Sequence, residues 1–174
     1  VIIVDKNGQP VPDGEDGEIW MRSRAICMGY LHNPEKTAEE FCDGFWKSGD
    51  MGRIDANGFL YVLDRAKDTI VHRQCNVYPN QVEAALMAHE TVVMAAVVGI
   101  PDAECGEWVH AEVVLRGDAK VVVEDLRHFL EDRLAAHSIP RTINFAQALP
   151  LSPVGKVLRR VVREKSRQQF ESGT

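Results

Sequence analysis

Lys156 closes the run LPLSPVGK, residues 149–156, in which Pro150, Pro153 and Gly155 fix the chain ahead of a stretch that reads as helix. A cation held on so stiff a turn suits an anionic oxygen, although an ordinary surface lysine fits the same local pattern. A positive charge near a helix N-terminus opposes the helix dipole, which argues that something else requires it. In WKSGDMGRID, Asp50 follows Ser48 and Gly49 at what reads as a strand end. There its carboxylate can accept hydrogen bonds from vicinal hydroxyls such as a ribose diol, or simply cap a turn. The run DRAKD, residues 64–68, carries Arg65 and Lys67 and reads either as a charged linker or as a hinge, since a few boundary residues suffice to absorb a rotation. His72 and Cys75 lie close together in TIVHRQC, but alternation along a single strand puts them on opposite faces and speaks against a Cys/His nucleophile.

These residues need elements to hold them. VIIVD, KNGQ and GEIWMRS read as strand, turn and strand, and RIDANGFLYVLD repeats that logic with Asn57-Gly58 at a positive-φ corner. Between them NPEKTAEEF predicts a short helix with Asn33 as N-cap and Pro34 at its first position. Beyond Asp64 strands alternate with helices. TIVHRQC has strand composition, PNQVEAALMAH starts with a helix-opening proline, TVVMAAVVGI is a buried-strand run, and EWVHAEVVL alternates. VVEDLRHFLEDRLAAH places Leu126, Phe129, Leu130 and Leu134 on one helical face and stops at SIP. TINFA predicts a short strand, and KVLRRVVREKSRQQF a terminal helix.

Composition bounds the function classes. The chain has 174 residues, 45% hydrophobic and 26% charged, within the globular range. No apolar run approaches the roughly 18–20 residues a spanning helix needs, so no membrane span is expected. The start VIIVD lacks an initiator Met and a basic n-region, which predicts no signal peptide and a segment cut from something longer. Cys27, Cys42, Cys75 and Cys105 form no CxxC pair; neither a metal site nor a disulfide framework is indicated, and a cytoplasmic setting fits. Residues 1–64 carry 6 Lys/Arg against 12 Asp/Glu, whereas the remainder balances 14 against 14, so the character of the chain changes near Asp64. The basic terminal helix lacks aromatic interleaving, which argues against nucleic-acid binding.

In order, the chain shows GEIWMRS, MGY, PEKTAEEF, GFWKSGD, NGFLYVLDRAKDTI, NVYPNQVE, AVVGIPD and LPLSPVGKVLRR. Together these resemble the C-terminal third of the adenylate-forming enzymes, specifically the AMP-forming, fatty-acid–CoA ligase-like acyl-CoA synthetases. The resemblance implies an α+β protein: residues 1–64 as the β-rich tail of a large N-terminal domain, 65–68 as a hinge, and 69–174 as a small, mobile α+β lid. It implies two steps: a carboxylic acid, expected to be a fatty acid, attacks the α-phosphate of MgATP, and a thiol, usually CoA, then displaces AMP. By the same resemblance Lys156 is the adenylation lysine, Asp50 and Arg65 bind the AMP/ATP ribose, and Lys67 is the pivot. Mg2+ ligands, the phosphate loop and the acyl pocket are expected upstream of Val1, so the chain alone is expected not to turn over ATP.

The sequence departs from the family between KDTI and NVYP. Arg73 and Gln74 stand where paired glycines are usual, and Cys75 replaces a glutamate. His72, Arg73, Gln74 and Cys75 are thus the expected CoA-side thiolation loop, with two long side chains where glycine would admit a close backbone approach. Two alternatives follow: transfer to an acyl carrier protein, or a noncatalytic homologue retained as a binding or regulatory module. The spacing of Pro150, Gly155 and Lys156 also resembles sites modified by lysine acetyltransferases, and neutralising the cation would silence the enzyme.

Overall fold

The computed structural model describes residues 1–117 and 119–172, which divide between Lys67 and Asp68 into two compact units. The first unit is built on one antiparallel sheet. Strands β1 (Ile2–Val4), β2 (Gly17–Met21), β4 (Phe45–Ile54) and β3 (Phe41–Cys42) lie side by side in that order, and β5 (Leu60–Arg65) also pairs with β4. Helix α1 (Pro34–Glu40) begins as its sequence predicts: the Asn33 side chain accepts the Lys36 N–H at 3.0 Å, and Pro34 occupies the first turn, where no donor is lost.

Turns set the register. Between Ile54 and Leu60 the loop is wider than a two-residue hairpin; Gly58 takes φ +84°, and the Asp55 carboxylate accepts from the N–H groups of Asn57 and Phe59. Asp43 and Gly44, both at positive φ, join β3 to β4 in a tight turn, with Cys42 paired to Phe45. Asp-Gly is a strong signal for that geometry.

The second unit carries a sheet in the order β10 (Thr142–Phe145), β9 (Gly106–Leu115), β6 (Ile70–His72) and β7 (Cys75–Val77), with β8 (Val92–Asp102) also paired to β9. All pairs are antiparallel except β9 with β10. One face packs against α2 (Pro79–Met87) and α3 (Val123–Glu131) through Val97, Val109, Ala111, Leu86, Leu126 and Leu130. The opposite face, with Ala96, Val98, Ile100 and Trp108, is covered by Val162 and Phe170 of α4 (Arg159–Ser172). A strand buried on both faces has no polar side to show, which explains the unbroken apolar run from Ala95 to Ile100. His110, fully buried, links β9 to β10, its Nδ1 2.7 Å from Thr142 Oγ1 and its Nε2 3.2 Å from Glu112 Oε1.

Three expected elements differ. TIVHRQC is not one strand: β6 and β7 fold back as a hairpin with Arg73 and Gln74 as its two-residue turn. Helix α3 stops at Glu131, where Arg133 donates to the Phe129 carbonyl at 2.8 Å and lies over the Phe129 ring, capping the last turn before Leu134 folds back to the core. Helix α4 begins at Arg159, because Leu151 and Val157 form a β-bridge that holds the intervening residues out of helix.

Candidate functional site

Lys156 therefore lies inside a closed loop and not in the first turn of a helix. The Ser152 N–H donates to the Lys156 carbonyl at 2.7 Å, the Lys156 N–H donates to Ser152 Oγ at 3.0 Å, and the Gly155 N–H donates to the Ser152 carbonyl at 2.9 Å. Gly155 adopts φ +79°, a left-handed conformation that a side chain would strain. The Leu158 N–H, bonded to the Pro150 carbonyl at 2.9 Å, closes the base. The main chain at Lys156 is thus bonded on both sides while its side chain is exposed, and no ion pair to its ammonium is found among the described residues. The expected clash of Lys156 with a helix dipole does not arise, since the cation precedes the helix; Arg159 and Arg160 occupy that unfavourable place, with no acidic residue in the first turn of α4.

Asp50 and Arg65 are brought together in the other unit. Asp50 lies within the long strand β4, not at its end, beside a bulge between Met51 and Gly52 and directly after Gly49 at φ +70°. It faces Arg65 across β4 and β5, and Arg65 Nη1 donates to Asp50 Oδ1 at 2.8 Å. The Asp50 N–H is held by Ser48 Oγ at 3.0 Å, while the Gly49 N–H points to Glu18 Oε1 at 3.3 Å. One oxygen of the Asp50 carboxylate is thus oriented by a guanidinium, and its chemistry as an acceptor suits a vicinal diol. Lys67, exposed, sits in a short 3-10 turn (Ala66–Asp68) at the division between the units.

The hairpin bearing His72, Arg73, Gln74 and Cys75 corrects the sequence picture of that segment. His72 and Cys75 are directly opposite cross-strand partners, so they share one face. Arg73 and Gln74 take φ +47° and +69°, as a type I′ turn requires. Glycine at these two positions would serve the turn itself, so the substitution by long residues adds backbone strain as well as bulk. The turn is pinned to the neighbouring β8–β9 corner. The Arg73 N–H donates to the Cys105 carbonyl at 2.9 Å, His72 Nδ1 donates to the Glu107 carbonyl at 2.7 Å, and the Val71 N–H donates to Glu107 Oε2 at 2.9 Å. A carbonyl can only accept, so the His72 proton resides on Nδ1. That bond, and not one to Cys75, fixes the imidazole.

Two residues outside the sequence candidates stand next to them. Arg159 Nε and Nη2 grip Glu83 at 2.8 and 2.5 Å, and Glu83 also accepts the Val97 N–H at 2.9 Å. An Arg three residues after Lys156 was legible; its partner, 76 residues earlier, was not. No group of three or more His, Cys, Asp or Glu able to hold a metal ion occurs among the described residues. No helix among them is long and apolar enough to cross a membrane.

Residues 81–156 match the family described as the AMP-binding enzyme C-terminal domain. The chain is 40% identical over 164 residues to a long-chain-fatty-acid–CoA ligase of Bacillus subtilis, covering 94% of this chain and 29% of that enzyme. It is 38% identical over 163 residues to the fatty acid–acyl-carrier-protein ligase ScoC of Streptomyces coeruleorubidus, covering 94% and 31%. In structure it is similar to ATP-bound MatB from Rhodopseudomonas palustris, with a TM-score of 0.87 at 35% identity, covering 97% of this chain and 34% of that one. The chain thus spans about a third of the length of these relatives. With its mixed α+β architecture and this agreement along nearly its whole length, the chain belongs to the adenylate-forming enzymes and corresponds to their C-terminal portion.

Proposed function

We propose that this chain is the C-terminal part of an ATP-dependent, AMP-forming ligase that activates a carboxylic acid, most simply a fatty acid, and passes it to the thiol of CoA. The observation that carries this is the Lys156 loop: a closed, glycine-cornered turn that fixes the main chain and leaves the ammonium exposed. In the first step a carboxylate oxygen attacks the α-phosphorus of ATP and the bond to the pyrophosphate oxygen breaks. Both reactants are anionic. An ammonium between them offsets their repulsion and stabilises charge on the α-phosphoryl oxygens as the bond forms. In the second step a thiolate adds to the acyl carbon and AMP leaves, with no cation required at the same place. Asp50, oriented by Arg65, accepts from the ribose hydroxyls and holds the nucleotide for both steps.

The division of the chain between Lys67 and Asp68 supports residues 65–68 as a hinge, 1–64 as the end of a large domain and 69–174 as a mobile lid, residues 118, 173 and 174 lying outside those described. The exposed Lys156 side chain also suits modification by a lysine acetyltransferase, which would remove the charge and stop adenylation. A cytoplasmic setting is supported by four unpaired cysteines. A second reading, transfer to an acyl carrier protein, is favoured by one observation: Arg73 and Gln74 fill the turn at which the family usually carries glycines. Incubating the full-length protein with ATP, a panel of acids and either CoA or a phosphopantetheinylated carrier tests both. Acid-dependent AMP release with acyl-CoA as product supports the first reading, and acyl-carrier product the second. Absence of acid-dependent AMP release with every acid overturns both and leaves the noncatalytic module.

A further inference from the structure

Arg159 is the first residue of α4 and is separated from the Leu151–Val157 bridge, which closes the Lys156 loop, by Leu158 alone. Its guanidinium side chain is only 16% exposed and is held on several sides. It meets Glu83 of α2 as a two-pronged pair, Nε to Oε1 at 2.8 Å and Nη2 to Oε2 at 2.5 Å. Nη2 also donates to Asn80 Oδ1, and Nη1 lies 3.7 Å from Asp68 Oδ2. Glu83, 11% exposed, uses Oε1 again to accept the backbone N–H of Val97 in the centre of β8. The network therefore joins four places in one unit: the base of the Lys156 loop, α2, the central sheet, and Asp68, the residue following Lys67.

As a source of stability alone, this arrangement is poorly motivated. A cation in the first turn of a helix opposes the macrodipole, and a sequestered ion pair recovers its desolvation penalty only with good geometry. What the pair gives in return is position. A planar fork held by two carboxylate oxygens has little angular freedom, whereas an apolar contact could slide.

We propose that Arg159 is a positioning residue for Lys156, locking the loop through Glu83 and Asp68 to the start of the unit that carries it. This rests on the adenylation role proposed for Lys156. The pair sets the direction in which the ammonium is presented relative to residue 68, so that rotation about the adjacent linker carries the lysine along a fixed arc. A displacement of about 1 Å at a positioned group can lower a rate about a hundredfold, and that is the loss expected for adenylation when the fork is removed.

The test uses the full-length enzyme with Lys156→Ala, Arg159→Met, and Arg159→Met combined with Glu83→Gln. Each is measured for acid-dependent ATP–pyrophosphate exchange, for thiolysis of supplied acyl-adenylate, and for Tm. Gln at position 83 removes the unpaired buried charge that Arg159→Met leaves, while its amide oxygen still accepts the Val97 N–H, so the double variant recovers Tm relative to Arg159→Met. The proposal expects exchange in the double variant to stay about a hundredfold down, with thiolysis near the wild-type rate. Recovery of exchange along with Tm, or equal loss of both half-reactions in the double variant, overturns it; if Arg159→Met alone does not fold, the double variant carries the measurement. Undiminished exchange in Lys156→Ala would instead overturn the adenylation role itself, so the two failures are distinguishable.

Discussion

Replacing Arg73 by Asn and Gln74 by Gly should stabilise the second unit. Both residues now occupy positive φ, at +47° and +69°, in a two-residue turn between the paired His72 and Cys75. An L side chain in that region costs about 1–2 kcal/mol per residue. Asn-Gly is the preferred dipeptide of the type I′ turn. Glycine loses more freedom on folding, which subtracts about 0.5–1 kcal/mol at position 74. The Arg73 N–H bonded to the Cys105 carbonyl is main chain and survives the change. A net gain of about 1 kcal/mol remains, a rise in Tm on the order of 4 °C for a domain near 100 residues. Urea unfolding followed by tryptophan fluorescence reads it, because Trp108 lies in this unit against His110 and Phe170. A midpoint that stays put or falls, at unchanged m value, would refute the claim that the turn is strained.

Gly155→Ala forces a side chain into φ +79° and should lower stability by about 1 kcal/mol or more; Val154→Ala, at an exposed neighbour, should stay within about 0.5 kcal/mol in the same urea titration. The Asp102 carboxyl is pulled down to about 2, chiefly by accepting the backbone N–H of Cys105 and then that of Glu104. Its folded value lies below its unfolded one, so its charge stabilises the fold above the ordinary carboxylate range, and that contribution is lost as pH falls through about 2. Asp102→Asn should therefore be less stable than wild type at neutral pH, with the gap closing between about pH 4 and about pH 2; a gap independent of pH would contradict this.

Much of the fold was legible because local chemistry and tertiary role agree. Asn33-Pro34 and Pro79 open their helices where a cap or a missing donor places them, and the run to Ile100 is apolar because helices cover both faces of β8. The failures have separate causes. Arg73-Gln74 carries no turn signal, so the hairpin is imposed by its neighbours: Glu107, bonded to the N–H of Val71 and the ring of His72, and the Cys105 carbonyl. Asp43-Gly44 does carry one, but β3 spans only Phe41–Cys42, too short for an alternating pattern to show. Helix α4 starts late because a bridge between Leu151 and Val157 overrides a periodicity that would otherwise run on from Lys156. Asp50 and Arg65 were visible singly, whereas their pairing depends on the register of β4 against β5, which a bulge shifts. The partnership of Arg159 with Glu83 spans 76 residues and leaves no mark in periodicity or composition.

The most direct trial of the account is the partition of the two half-reactions in full-length Lys156→Ala. The exposed ammonium on its closed loop should be indispensable for acid-dependent ATP–pyrophosphate exchange and dispensable for thiolysis of supplied acyl-adenylate. Exchange lost with thiolysis retained is the predicted result; exchange at the wild-type rate, or both activities lost together in a protein of unchanged Tm, would contradict it.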